Sequence, residues 1–176
     1  KLPPTIASVT LAENNSTIVV TMSENVHNTR DGSGALEATD FVFSITGGHA
    51  TLSSTTPTSI TASGNVYTLG IGLSSTPDGG ETLTINPVDD SIYDSAGNEA
   101  STTQTNNTVK LNDKTLPIIT DVALAADNST LAVTFSEAVF NTNAGSGILE
   151  AADFTFSISG GTATLSNVTP TSISIS

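Results

Sequence analysis

Val9–Ser63 opens VTLAENNSTIVVTMSENV and closes GGHATLSSTTPTSITAS; Val122–Ser176 opens VALAADNSTLAVTFSEAV and closes GGTATLSNVTPTSISIS. The two stretches align at a constant offset of 113 residues without a gap, and 36 of the 55 paired positions are identical. Such a period marks one supersecondary unit used twice. Comparing the copies sorts the positions. Ile18, Val20 and Met22 alternate in the first copy, and Leu131, Val133 and Phe135 repeat them. A period of two places all three on one face of a β-strand. Phe41, Phe43 and Ile45 form a second alternating set and return unchanged as Phe154, Phe156 and Ile158. Between the inward positions, Val19 becomes Ala132 while Thr21 stays as Thr134, as expected of a looser outer face.

The remainder of the period reads the same way. Ile6–Leu11 is a first strand, followed by an Asn/Ser turn at Asn14–Ser16. A long loop, Ser23–Asp40, precedes the Phe-led strand, and Gly47-Gly48 makes a tight turn after it. Ala50–Leu52 is a short strand that breaks at Thr56-Pro57 and resumes at Ser59–Thr61. Tyr67, Leu69, Ile71 and Leu73 alternate, Thr82–Asn86 runs through Leu83 and Ile85, and Thr105–Leu111 turns Val109 and Leu111 inward. No segment sustains a period of 3.6. Seven or eight short strands at regular spacing predict an all-β, antiparallel sandwich without cysteine. The count depends on whether Ala50–Ala62 is one kinked strand.

Residues 1–113 then read as one complete module and 114–176 as the first half of a second, homologous one. The linker lies at about 111–117 and is stiffened by Pro117. The second copy breaks off at Ser176, so the chain is expected to be a piece of a longer array. The sharper alternative is an exposed edge filled by another chain's strand.

Seventeen acidic residues against four basic ones give a net charge of −13, which argues against nucleic acid and anionic membranes as partners. An apolar fraction of 36%, placed regularly, suits thin two-layer β structure rather than disorder. Without cysteine, no disulfide braces the fold. No secretory, lipidation or transmembrane pattern is visible, so direct membrane insertion is not expected.

Four motifs carry a resemblance: Val-Thr-Met-Ser-Glu-Asn-Val (20–26), Ala-Thr-Asp-Phe (38–41), Gly-Gly-Glu-Thr-Leu-Thr-Ile (79–85) and Ile-Tyr-Asp-Ser-Ala-Gly-Asn (92–98). In this order and with this tandem period the chain resembles the bacterial Ig-like repeats of surface-layer proteins and giant adhesins. The resemblance implies an Ig-like sandwich in an extracellular, cell-surface array, used as a stalk or filament. It implies no particular ligand.

Catalytic chemistry finds little support. His27 and His49, the two histidines, become Phe140 and Thr162 in the second copy, and a catalytic or metal-binding histidine should not be dispensable between close copies. Nothing resembles Gly-x-Ser-x-Gly. Paired carboxylates leave a glycosidase arrangement formally open, but a thin sandwich offers no obvious cleft for it. Calcium is the better chemical expectation, because hard cations take carboxylate and carbonyl oxygens. Glu24, Glu37 and Asp40 flank the long loop and persist as Glu137, Glu150 and Asp153; Asp89, Asp90 and Asp94 precede the last strand, and Asp113 lies in the linker. The candidate ligands are Glu24, Asp40, Asp89, Asp90, Asp94, Asp113, Glu137 and Asp153. In a seven-strand sandwich the two loops share a pole with the incoming linker, and an ion there would stiffen the junction between modules. The plainer reading makes these acids turn-formers on a solvated face. The Asn-x-Ser/Thr sequences at Asn14, Asn15, Asn106, Asn128 and Asn167 match the glycan-acceptor pattern.

Two functions follow from different classes. The favoured one is a non-catalytic spacer module whose partners are neighbouring modules of the same chain, with other copies, surface glycans or surface proteins as outside contacts. The rival is a carbohydrate- or protein-binding accessory module of a secreted enzyme or adhesin. Carbohydrate platforms usually expose aromatics, and here there is no Trp, with two Tyr and six Phe of which most fall on predicted inner faces.

Overall fold

The computed structural model describes residues 2–143 and 145–176. The chain divides between Thr115 and Leu116 into two compact units. The first contains seven strands: β1 (Ile6–Leu11), β2 (Thr17–Met22), β3 (Phe41–Thr46), β4 (Ile60–Ser63), β5 (Val66–Gly70), β6 (Thr82–Pro87) and β7 (Thr108–Lys110). One sheet has the order β1-β2-β5-β4 and the other β3-β6-β7. Every pairing is antiparallel. The unit is therefore an all-β sandwich, as its period-two patterning requires.

The alternating sets meet between the sheets. Ile18, Val20 and Met22 are sealed from solvent, as are Phe41, Phe43, Leu69, Leu83 and Ile85. In β2 and β6 buried and half-buried residues alternate along the whole strand. Burial of these apolar side chains is the main favourable term holding the sheets together, at roughly 1.5–3 kcal/mol for each large one.

The Ala50–Ala62 question resolves into one kinked path. Leu52 pairs with Leu73 and Ile60 with Leu69, so both ends run antiparallel to the same segment. Between them the chain swings out, and the Thr55 carbonyl accepts a 2.7 Å hydrogen bond from the Phe43 N–H. The kink, carrying Pro57, thus ties one sheet to the other.

The last strand begins later than Thr105, at Thr108. Just before it, the Asn107 side chain donates to the Ile85 carbonyl at 2.8 Å, the bond a neighbouring backbone N–H would otherwise make. A side-chain amide in place of a ladder N–H ends the regular pairing at that point.

The second unit holds β8 (Ile119–Leu124) and β9 (Leu131–Phe135), paired antiparallel. Local features of the first unit recur in it. The register slips at Ile6/Ser8 and again at Ile119/Asp121. Asn15 and Asn128 both adopt positive φ, near 60°, a conformation Asn tolerates better than other side chains. One-turn 3-10 helices span Ala38–Asp40 and Ala151–Asp153. Among the described residues no helix is long and apolar enough to cross a membrane.

Candidate functional site

The strand order brings two groups of loops to opposite poles of the first unit. At one pole the loop after β2 meets the loop before β7. His27 and Tyr93 exchange backbone hydrogen bonds of 2.8 Å in both directions. Gly97, at φ 78°, approaches the Arg30 carbonyl so closely that a β-carbon would lie 2.6 Å from its oxygen. The entering chain joins them, because the Ile6 N–H donates to the Gln104 side chain at 2.8 Å and the Ser23 N–H to the Thr5 carbonyl at 2.8 Å.

Asp94 organises this pole. It is fully buried, and its Oδ1 accepts from the N–H groups of Ala96 and Asn98 at 2.8 and 2.9 Å. Its Oδ2 accepts from the Asn98 side chain at 2.9 Å. The Ser-Ala-Gly-Asn turn is thus wound around one carboxylate. Hydrogen bonds to a charged acceptor are worth roughly 1.5–3 kcal/mol each. Asp94→Ala is expected to destabilise the first unit by about 2–4 kcal/mol. Urea denaturation of the variant beside the parent chain measures this, and an unchanged midpoint would refute it.

The remaining candidate acids occupy different environments. Asp40 is buried, and its Oδ2 accepts the Glu37 N–H at 2.7 Å, closing the 3-10 turn before β3. Burial chiefly pushes its carboxyl above the ordinary value, Glu37 adds to this by its charge, and the Glu37 N–H opposes it. Asp153 makes the same bond with Glu150 at 2.8 Å but is exposed. Asp89 is exposed; Asp90 is also exposed, at φ 60°, and accepts a short hydrogen bond from the Tyr93 hydroxyl. That bond, with burial, raises the Tyr93 hydroxyl to about 12. Glu24 and Glu137 are half-buried, each with interactions of its own. Asp113 lies at the opposite pole, where its Oδ1 accepts the Thr115 N–H at 2.8 Å. Among the described residues no three His, Cys, Asp or Glu side chains gather in a way that could hold a metal ion.

The opposite pole contains a residue that the sequence reading passed over. Glu81 is completely buried. Its Oε1 accepts from the N–H groups of His49 at 2.8 Å, Ala50 at 2.7 Å and Asp78 at 3.3 Å. Its Oε2 is buried and has no hydrogen-bond partner among the described residues. Desolvation pushes this carboxyl up, but the N–H groups of Ala50, Glu81 itself, Asp78 and His49 outweigh it, and the net direction is down. Gly48, at φ 57°, packs directly on the carboxyl, with a β-carbon there lying 2.2 Å from it. The Gly-Gly turn after β3 is therefore required by a buried carboxylate as well as by its own turn geometry. Beside it, His49 Nδ1 lies 2.7 Å from Asp78 Oδ2.

The same pole carries a two-way amide clamp. Asn15 Nδ2 donates to the Asn112 carbonyl at 2.8 Å, and the Asn112 N–H donates to Asn15 Oδ1 at 2.9 Å. This ties the β1–β2 turn to the chain leaving β7. Asn15 is only 2% exposed, so of the glycan-acceptor sequences this one does not lie on an open turn. Glu81 and Asn112 lie in the part of the period that occurs once, so comparing copies could not single them out. A local signal did exist: an acid between Gly79-Gly80 and an alternating strand.

Two open depressions lie on the first unit. One is lined by Pro3, Pro4, Ser23, Glu24 and Ser101, and another by Ala12, Glu13, Asn14 and Lys114. Neither contains a nucleophile with a histidine partner.

No protein-family model matches the chain, and no curated protein matches it. One similar solved structure is the N-terminal part of the bacterial S-layer protein SbsC. It shares 22% identity at a TM-score of 0.45, covering 70% of this chain and 26% of that one. The chain thus spans about a quarter of the structure it matches.

Proposed function

We propose that this chain is a non-catalytic structural repeat of a bacterial cell-surface adhesin or filament, acting as an extracellular spacer segment. The observation that carries the proposal is the repeat itself, 36 identities in 55 gapless positions at one fixed offset. A spacer is useful in proportion to its copies, and each unit of such an array is stabilised largely from within and by its neighbours. The polar interior supports the same reading. Asp94, Glu81 and Asn15 all hold loops and turns in place, and bracing of that kind suits a load-bearing sandwich. The resemblance to surface-layer and adhesin repeats points the same way.

The rival, a carbohydrate platform, lacks its usual equipment. Tyr67 and Tyr93 are buried, and among the described aromatics Phe140 alone is exposed. A glycan array probed with the labelled chain separates the two. The spacer role predicts no saturable signal, and specific binding to any glycan class would overturn it. Calcium stiffening is a separate part of the proposal. The exposed carboxylates of Asp89 and Asp90 would supply ligands at one pole, with backbone carbonyls and water completing the shell, and Asp113 would act separately at the other. Thermal unfolding in chelator and in millimolar calcium tests this: a midpoint raised by calcium supports it, and coincident curves remove it.

A further inference from the structure

Strand order sets how the first unit carries tension. β1 begins beside Gln104, whose side chain accepts the Ile6 N–H at 2.8 Å. It ends at the turn that holds Asn15, beside Asn112. Gln104 precedes β7 and Asn112 follows it. β1 and β7 therefore run side by side in the same direction. They belong to different sheets, so no backbone ladder joins them. The chain enters at the pole where β1 starts and leaves at the pole where β7 ends. Tension between entry and exit draws the two strands past each other along their own length.

At the exit pole Asn15 and Asn112 oppose that sliding. Asn15 Nδ2 donates to the Asn112 carbonyl, and the Asn112 N–H donates to Asn15 Oδ1. Asn112 Nδ2 adds bonds to the Ala12 carbonyl at 3.2 Å and to Asn15 Oδ1 at 3.1 Å. Asn15 is itself fixed, buried at φ 60° with its N–H donating to the Ala12 carbonyl at 2.9 Å. Sliding loads the four bonds of the bridge together, whereas peeling a strand from its neighbour breaks ladder bonds one at a time. Beyond Asn112 the Pro77 carbonyl holds the chain, accepting the Lys114 N–H at 2.9 Å and the Thr115 hydroxyl at 3.1 Å. Tension from the exit strips these two bonds before it reaches the bridge.

We infer that the Asn15–Asn112 bridge is the tension-bearing latch of the first unit, whose rupture sets the rate of unfolding when the unit is stretched from entry to exit. Forced unfolding follows the unfolding rate rather than equilibrium stability. Interactions lost before the transition state are the ones that slow it. This role deepens the spacer reading, and its use at a cell surface rests on that reading.

The test attaches handles to the full chain at Leu2→Cys and Leu116→Cys, both exposed positions in a sequence without cysteine. Unfolding of the first unit is timed at constant force. Asn15→Gly removes the side chain from the bridge while glycine adopts the left-handed turn freely. It is expected to speed unfolding by about tenfold or more. Asn112→Ala keeps the backbone bonds and loses the two from Nδ2, so a smaller increase is expected. That variant carries the test if Asn15→Gly does not fold. Asp94→Ala, away from the load path, should accelerate unfolding less than Asn15→Gly for the same loss of stability in urea. Handles at Leu2→Cys and Asn25→Cys instead peel β1 from β2 beginning at Ile6 and reach Asn15 last. In that geometry Asn15→Gly is expected to change the rate by less than about threefold. An unchanged rate in the entry-to-exit geometry would overturn the proposal, and so would equal acceleration in both geometries. Either failure leaves the spacer role standing on the glycan array, while specific glycan binding beside a confirmed latch would remove that role and keep the latch.

Discussion

Glu81→Ala is expected to be among the most destabilising single changes in the first unit. The substitution removes a completely buried carboxylate that accepts N–H groups from His49, Ala50 and Asp78. The Ala50 N–H is itself buried, so water cannot simply replace the lost acceptor. Each orphaned buried donor costs roughly 1–3 kcal/mol, and the total is expected to be about 3–5 kcal/mol. For a domain of this size that lowers the melting temperature by about 15 °C or more. Glu81→Gln retains an acceptor oxygen and the side-chain volume, and should lose less than half as much. A loss below about 1 kcal/mol for Glu81→Ala would mean that the carboxylate is not the anchor of this pole.

The same residue has a defined pH signature. Its folded-state carboxyl lies below the ordinary value. A depressed carboxyl contributes stability that is present above its unfolded value and is lost as pH falls through its folded value. The parent chain should therefore lose stability on the acid side of the ordinary Glu range, and Glu81→Gln should flatten that part of the profile. Asp40 acts in the opposite sense, because its folded-state carboxyl is raised. Its contribution is present below the unfolded value and is lost as pH rises through the folded one. Urea midpoints collected between about pH 3 and pH 7 for the parent chain and Glu81→Gln would separate the two. Parallel profiles would show that Glu81 does not titrate differently in the folded state.

The second large effect lies in the core between the two sheets. Phe43→Ala opens a cavity in a sealed core, at a residue 1% exposed and paired with Ile85. It is expected to cost about 3–5 kcal/mol. Urea midpoints of the variant and the parent chain measure this, and a loss below about 1 kcal/mol would refute the sealed core.

Much of the fold was legible because it is local and periodic. The alternation in Ile18–Met22 and Phe41–Ile45 depends only on the two-residue repeat of a strand; the structure buries Ile18, Val20, Met22, Phe41 and Phe43 and leaves Ile45 partly buried against them. The retained Glu37 and Asp40 also had a local meaning, as the 3-10 turn that leads into β3. Asp94 was visible as a chemically interesting acid. Its acceptor bonds from Ala96 and Asn98 lie within four residues, so the turn-forming reading was already contained in the Ser-Ala-Gly-Asn sequence. Glu81 was not legible in the same way. Its Oε1 is satisfied by N–H groups from His49 and Ala50, more than thirty residues away. The Asn15–Asn112 clamp spans 97 residues. Pairings at such separations leave no periodic trace and depend on which strands become neighbours.

Sequence alone thus determined the all-β class, the repeat and its 113-residue offset, and which positions turn inward. All of these follow from backbone periodicity and the cost of leaving apolar side chains in water. The local backbones of Val9–Ser63 and Val122–Ser176 agree at the bulge, the positive-φ Asn and the 3-10 turn, as nearly identical local instructions require. The tertiary structure decided which distant polar groups meet. The Glu81 carboxylate closes on the His49 and Ala50 N–H groups, and the Asn15 side chain on Asn112, because strand pairing brings those loops to one pole whatever their separation along the chain.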